Sequence, residues 1–272
     1  MRPWAMTASD PADLDEDLEV LAEWLASAEV VAPFTGAGIS TESGVPDFRS
    51  PGSPWLANRP IAFDAFLASA EARREAWRRK FAMDDLYAGA TPGRGHHFLA
   101  GLVAAGKAPA IITQNIDGLQ QAAGVPEERV IELHGNGTYA ACLDCAERQE
   151  LADIRSVFEA SGLPPTCPHC GGMVKSATIS FGQALPQQAL QRAQALARTS
   201  DLFIAIGSSL LVHPAAGLPV LAKRHGARLV IINREATPLD DIADLVFNGE
   251  IGAICMRLVE LSGDAGRSIN YS

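Results

Sequence analysis

Hydrophobic positions follow two different periods along the chain. Between residues 13 and 27, Leu14, Leu18, Leu21 and Leu25 recur at helical spacing with acids on the other face, which predicts an amphipathic helix. A second pattern starts at Glu29–Thr35 (EVVAPFT), a short continuous apolar run that ends at Gly36-Ala37-Gly38. Similar runs recur at Ala110–Thr113, Val130–Leu133, Leu202–Ile206 and Leu229–Ile232, with a weaker one at Asp244–Phe247. Their length and β-branched content predict buried strands. Amphipathic stretches such as Gln187–Arg198 and Pro214–Arg224 lie between many of them. Continuous apolar strands alternating with helices imply an α/β fold whose parallel sheet is covered on both faces.

Two segments interrupt the alternation. Residues 51–95 carry no strand-like run but predict a helix from Asp64 to about Leu86, and residues 138–180 hold four paired cysteines. Both are expected to be insertions that build a smaller lobe. The larger domain is then drawn from 29–50, 96–137 and 181–260, with an N-terminal helix in 1–28 and a tail at 261–272. A cleft between two lobes is a common place for a ligand.

Composition narrows the class. The chain has 272 residues, 47% hydrophobic and 20% charged, which excludes a disordered polymer. Its net charge of −10 disfavours non-specific nucleic-acid binding, which relies on a basic surplus. No apolar run approaches the roughly 18 residues of a membrane span, and the acidic N-terminal stretch lacks a signal-peptide core. Five cysteines are few and odd in number, unlike a disulfide framework. A cytoplasmic protein of a reducing compartment, with no membrane partner, is the expectation. The oligomeric state is open.

The cysteines themselves carry chemistry. Cys142-Leu-Asp-Cys145 and Cys167-Pro-His-Cys170 form two C-x2-C pairs separated by 21 residues. Two tight turns that each present two thiolates suit a tetrahedral Zn2+ ion. Four thiolates leave no open position for water, so the metal is expected to be structural. Redox-active C-x-x-C motifs are the competing reading, although such a motif normally occurs once, after a strand. Cys255, among Ile254, Met256 and Leu258, reads as a buried core thiol.

Gly36-Ala37-Gly38 follows a strand and is expected to enter a helix, where backbone N–H groups approach a diphosphate. It departs from the dinucleotide fingerprint, because Thr41 stands at the third glycine and no acid follows a second strand to take the ribose. An ordinary dehydrogenase is therefore disfavoured. Asp47, Phe48 and Arg49 stand in a row that can pair charge with phosphate and shield a ring. Gln114, Asn115, Ile116 and Asp117 follow a strand directly, where α/β folds bind ligands. Helix capping by Asn115 or Asp117 is the simpler alternative. His134, before Gly135 at another strand end, is poised for general-base work or is simply structural.

In order along the chain, GAGIS (36–40), SGVPDFRS (43–50), TQNID (113–117), ELHG (132–135), the two C-x2-C pairs, GSSLLVHP (207–214) and INRE (232–235) resemble the sirtuins. These are NAD-dependent protein-lysine deacylases. The resemblance runs from about residue 29 to 258 and implies a Rossmann-like large domain with a small lobe of zinc ribbon and helical module. It implies NAD as a consumed co-substrate, one structural Zn2+ and acyl-lysine proteins as partners. Gly36, Ala37, Gly38, Asp47, Phe48 and Arg49 would line the phosphate and nicotinamide region. Gln114, Asn115, Ile116 and Asp117 match ribose and nicotinamide positions. Gly207, Ser208, Ser209, Asn233, Arg234, Glu235 and Ile251 match the adenosine side.

The implied reaction begins with attack of the acyl oxygen on C1′ of the nicotinamide ribose. His134 then acts as general base on the ribose hydroxyls, with Asn115 and Asp117 orienting the ribose and the nicotinamide amide. The 2′-oxygen attacks the imidate carbon and water completes the reaction, so the products are nicotinamide, 2′-O-acyl-ADP-ribose and free lysine. The peptide would add as a strand between Phe181, Gly182 and Gln183 on one side and Val212 on the other.

Departures from the family bear on the substrate. The family's Pro-Asp-Val-Val core and Phe-Gly-Glu ending read here as Lys175-Ser-Ala-Thr-Ile-Ser-Phe-Gly-Gln183, and Gln120 stands where His is frequent. The Tyr-x-x-Arg pair of relatives that remove dicarboxylic acyl groups is missing, so Arg78 is read as part of a solvated helix face. Acetyl is the expected acyl group. The alternatives are a long-chain or lipoyl group, mono-ADP-ribosyl transfer and, from another class, a zinc-ribbon nucleic-acid module.

Overall fold

The computed structural model describes residues 11–48 and 50–264. Along the chain run α1 (Pro11–Ser27), β1 (Val31–Thr35), α2 (Pro54–Ala57), α3 (Phe63–Ala68), α4 (Ala70–Leu86), α5 (Arg94–Ala104) and β2 (Ile111–Thr113). Then come α6 (Leu119–Ala122), β3 (Val130–Glu132), β4 (Gly135–Cys142), β5 (Arg148–Glu150), α7 (Leu151–Ser161) and β6 (Val174–Thr178). The chain continues with α8 (Gln187–Thr199), β7 (Leu202–Ile206), α9 (Gly217–Arg224), β8 (Arg228–Ile232), β9 (Leu245–Phe247) and α10 (Ile251–Asp264).

Six strands form one sheet in the order β3-β2-β1-β7-β8-β9, and every pairing is parallel. Side chains alternate between its faces. Val31, Ile111, Leu202, Ile204, Ile206, Val230 and Ile232 pack into one core with Leu21 and Leu25 of α1, Leu99 and Leu102 of α5, and Leu258 of α10. Phe34, Ile112, Phe203, Ala205, Leu229 and Ile231 face the opposite core with Ala193 and Leu196 of α8 and Leu218 of α9. A strand buried on both faces needs an unbroken apolar sequence, which is why the runs lack polar alternation. Counted within this sheet, the order is that of the doubly wound dinucleotide fold, with its switch point between β1 and β7.

The second sheet has three antiparallel strands in the order β5-β4-β6. Trp77 and Phe81 of α4 pack into one core with Ala140, Cys142, Ile154, Cys167 and Val174. The helical module and the cysteine-bearing segment therefore share a hydrophobic centre. Arg155 of α7 adds a two-pronged contact to Asp85 of α4 at 2.6 and 2.9 Å.

The helix read from Asp64 to about Leu86 is divided at Ser69. Its backbone is extended (φ −136°, ψ 127°), and its hydroxyl accepts the N–H of Ala72 at 3.3 Å, capping α4. The glycine turn after β1 enters a single 3-10 turn, Ala37–Ser40. No helix among the described residues is long and apolar enough to cross a membrane.

Candidate active site

The loops after β1 and β7 meet at the switch point. Gly36 N–H donates to the Ile206 carbonyl at 3.0 Å, and Gly38 N–H donates to the Gly207 carbonyl at 2.8 Å. The approach is too close for side chains. A Cβ on Gly36 would lie 2.7 Å from Gly207 O, and one on Gly207, at φ +65°, would lie 2.3 Å from Ile39 N. Glycine at these positions is what lets the loops after β1 and β7 cross in direct backbone contact.

A cavity of about 1080 Å3 opens above this crossing. Its wall contains Gly36, Ala37, Gly38, Asp47 and Phe48 after β1, and Gln114, Asn115, Ile116 and Asp117 after β2. It also contains His134, then Gly207, Ser208, Ser209 and Val212 after β7, Asn233, Arg234 and Glu235 after β8, and Ile251 opening α10. Phe181, Gly182 and Gln183 complete the list of sequence-derived positions that border it. Arg49 lies outside the described residues.

The polar groups are tied to one another. Asn115 Nδ2 donates to the Gly36 carbonyl and to Ser40 Oγ, each at 3.1 Å. Ser40 in turn donates its hydroxyl hydrogen to Asp117 Oδ2 at 2.7 Å. Asp117 Oδ1 also accepts Leu119 N–H at 3.0 Å, so this carboxylate caps α6 while its other oxygen holds Ser40. Asn115 caps nothing and is turned toward β1. Gln114 Nε2 donates to Ser208 Oγ at 2.8 Å, joining the loops on either side of the crossing.

His134 Nδ1 sits 3.0 Å from the Gln114 carbonyl oxygen. Burial lowers the imidazole pKa below its ordinary value, and the bond to that carbonyl partly restores it. The histidine is thereby neutral near pH 7, with one nitrogen uncommitted.

Two residues of this network were missed from the sequence-derived set. Ser40 is fully buried, and His96 of α5 lies behind it with Nε2 3.4 Å from Ser40 Oγ. His96 Nδ1 accepts Gly93 N–H at 3.1 Å, which places its hydrogen on Nε2. The signal for Ser40 lay within GAGIS itself. His96 had none beyond its place at a helix start.

At the far end, Phe48 stacks on Trp55 with ring centroids 4.4 Å apart. Arg234 pairs with Glu250 at 3.2 Å. Gln183 Oε1 accepts Ser180 N–H at 3.1 Å, and Phe63 N–H donates to the Phe181 carbonyl at 3.0 Å, anchoring that wall to the helical module. Arg78 pairs with Glu75 and its side chain is 57% exposed, so it belongs to a solvated helix face. Gln120 is buried with both side-chain polar atoms unpartnered. Cys255 is fully buried in the sheet core.

The Sγ atoms of Cys142, Cys145, Cys167 and Cys170 all lie within 4.8 Å of one another. Three of the separations are 3.5, 3.7 and 3.5 Å. Four sulfurs about 2.3 Å from a tetrahedral Zn2+ stand roughly 3.8 Å apart, so the cluster fits that ion. None of the four is in a disulfide.

Residues 36–214 match the family model described as Sir2 family. The chain belongs to the Sir2 family. Among relatives of this sirtuin, an NAD-dependent protein deacetylase 1 of Bradyrhizobium diazoefficiens is 59% identical over 241 residues, covering 89% of this chain and 94% of the relative. An NAD-dependent protein deacylase 2 of Pyrobaculum aerophilum is 41% identical, covering 88% and 94%. A solved Sir2 complex with p53 peptide and NAD+ matches with a TM-score of 0.81 at 37% identity, over 91% of this chain and 99% of that one. A Sir2 complex with 2′-O-acetyl-ADP-ribose and deacetylated p53 peptide matches at 0.76 and 36%, over 92% and 100%. The Sir2 fold expected from the sequence, with its parallel sheet and cysteine-bearing lobe, is the fold observed.

Proposed function

We propose that this sirtuin removes acyl groups, acetyl foremost, from protein lysines with NAD as co-substrate, giving nicotinamide, 2′-O-acyl-ADP-ribose and free lysine. One observation carries the reading. The neutral His134 and the Asn115–Ser40–Asp117 cluster border the same cavity as the glycine crossing of β1 and β7.

Bound NAD supplies an electrophilic ribose carbon from which nicotinamide departs as the acyl oxygen takes its place. Gly36, Gly38 and Gly207 admit the diphosphate to within hydrogen-bonding reach of backbone N–H groups. Asn115 and Asp117 orient the ribose and the nicotinamide amide, each held by Ser40. His134 removes a proton from a ribose hydroxyl through its uncommitted nitrogen. Asn233, Arg234, Glu235 and Ile251 take the adenosine side. Cys142, Cys145, Cys167 and Cys170 would hold a Zn2+ with no position left for water, so the metal would act on structure alone.

The substrate strand lies between Phe181, Gly182 and Gln183 and the segment at Val212. The lobes are assigned as 29–50, 96–137 and 181–260 for the NAD domain and 51–95 with 138–180 for the small lobe. A reducing, cytoplasmic setting suits four thiols held for a metal. Arg78, engaged by Glu75, favours acetyl over a dicarboxylic acyl group. The apolar lining by Phe66, Trp77 and Met83 supports a second reading, a longer acyl chain entering the small lobe.

Mass spectrometry of products from NAD and a mixed acyl-lysine peptide library tests the proposal. Acetyl-ADP-ribose and full-length peptides that have lost their acetyl group are the expected products. NAD label ending on protein would identify an ADP-ribosyltransferase instead.

A further inference from the structure

A second groove of about 600 Å3 runs between α8 and α9, on the far side of the 211–214 segment. Leu190, His213 and Pro214 line both this groove and the active-site cavity, so the groove lies directly beside that cavity across the 211–214 segment. The groove's floor is apolar, with Leu210 and Leu218 buried beneath it. Two guanidinium groups stand at its rim, Arg198 in the last turn of α8 and Arg224 in the last turn of α9.

Both arginines are exposed, and neither has an ion-pair or hydrogen-bond partner among the described residues. Among the described residues, no carboxylate lines the groove. Asp240, just beyond the lining residues Pro238 and Leu239, accepts the N–H and hydroxyl of Thr237. Lys223, next to Arg224, is paired with Asp244. Basic residues in a helix's last turn complement its dipole, yet that role leaves the guanidinium donors unused. In a chain of net charge −10, two such groups over one apolar floor are a local reversal of sign.

We propose that this groove reads an acidic residue next to an apolar one in the substrate segment flanking the acyl-lysine. The inference rests on the deacylase reading. A substrate carboxylate engages Arg198 and Arg224 through charge-assisted hydrogen bonds, and an apolar neighbour settles on Leu190 and Leu218. Alternate side chains of an extended strand point to opposite faces, so only one register of residues, on one side of the acyl-lysine, reaches the groove.

The test uses fluorophore-labelled acetyl-lysine peptides, neutral except for a single Asp or Lys scanned through the positions on both sides. Binding to the full chain is read by anisotropy and turnover by product formation with NAD. On one side only, Asp is expected to lower Kd about three- to tenfold relative to Lys, and added salt to weaken this preference. Arg198→Gln with Arg224→Gln removes the preference and Arg198→Glu with Arg224→Glu reverses it. The neutral peptide's Kd and the KM for NAD stay unchanged. Equal Kd for Asp and Lys at every position, or an undiminished preference in the double Gln variant, overturns the proposal. A purely structural role for the arginines would lower Tm without touching the Asp-to-Lys ratio. Because anisotropy needs no turnover, a neutral peptide that binds but is never deacetylated counts against the deacylase reading and not against the groove.

Discussion

The Nδ1 atom of His134 lies 3.0 Å from the carbonyl oxygen of Gln114. A carbonyl only accepts, so the hydrogen resides on Nδ1 and the lone pair on Nε2, the nitrogen left for a ribose hydroxyl. The loop after β2, which carries Gln114, therefore also sets the tautomer of the proposed base. His134→Ala is expected to lower kcat/KM about 10²–10⁴-fold while leaving the fold and the cysteine cluster intact. Circular dichroism and zinc content measured beside activity check the separation.

The same residue fixes the acid side of the pH profile. Burial pushes the imidazole pKa below its ordinary value, more than the Gln114 carbonyl raises it. A base works unprotonated, so kcat/KM falls as pH drops through that lowered value. The expected acid limb has its midpoint below about 6.5, the usual histidine pKa. A limb centred above that value would contradict the assignment of His134 as base.

Ser40 connects Asn115 and Asp117, the two residues proposed to orient the ribose and the nicotinamide amide. Its Oγ accepts from Asn115 at 3.1 Å and donates to Asp117 at 2.7 Å; Ser40 is fully buried, while its two partners are half-buried at the cavity wall. Ser40→Ala leaves an amide hydrogen and a carboxylate oxygen short of a partner, and because both groups are only half-buried the cost is about 1–3 kcal/mol in all. A fall in kcat/KM of roughly ten- to a hundredfold follows by the usual conversion. Thermal unfolding of the variant separates this effect from loss of fold.

These relationships differ in how far the sequence exposes them. The runs at 31–34, 202–206 and 229–232 were legible because both faces of these strands are buried, leaving no polar position to blur them. The ribbon strand Gly135–Cys142 was not, since it is short of β-branched residues and is bulged against β6. The break at Ser69 hid inside a helical pattern, because one serine costs the periodicity nothing while its hydroxyl caps the next helix. The ordered motifs named the cavity wall. The bond from Ser40 to Asp117 spans 77 positions, and only the packing of α5 behind Ser40 brings His96 within reach.

The cysteine cluster and the Trp77 wall of the cavity share one core. Cys142 and Cys167 pack with Trp77 and Phe81, and Trp77 Nε1 donates to the Val174 carbonyl at 3.3 Å. Since Trp77 also borders the cavity, loss of the metal should loosen the peptide side before the sheet. Treatment with a strong chelator is expected to red-shift tryptophan emission and abolish peptide turnover, while NAD binding by calorimetry persists. Cys142→Ser is expected to behave in the same way.

Gly207 faces a stricter limit than an ordinary turn glycine. It has φ +65°, and a Cβ there would lie 2.3 Å from Ile39 N, which is backbone and has nowhere to move. Gly207→Ala therefore forces β1 and β7 apart at the mouth of the NAD site. Left-handed backbone at a non-glycine residue alone costs on the order of 1–3 kcal/mol. Calorimetry is expected to show NAD affinity reduced at least tenfold, together with a lowered Tm. Unchanged affinity would show that the diphosphate does not use this crossing.

Lys175 supplies a stability test that does not involve catalysis. It is 5% exposed in β6, and its ammonium donates to the carbonyl oxygens of Ser176 and Thr178. Burial pushes its pKa down to about 8. In the unfolded chain the same group titrates near the usual lysine value of about 10.4. Below pH 8 both states carry the proton, and the folded protein bears the full cost of a buried charge. Between the two pKa values the unfolded chain holds more protons, so stability rises with pH. Lys175→Met removes that charge and keeps most of the volume, while giving up two hydrogen bonds. Urea unfolding is expected to show the Met variant ahead by on the order of 2 kcal/mol at pH 7. The gap should close as pH approaches 10, where the wild-type lysine is neutral in the folded state. A gap that stays constant across this range would mean that Lys175 keeps its proton in the fold, held by a partner other than those two carbonyls.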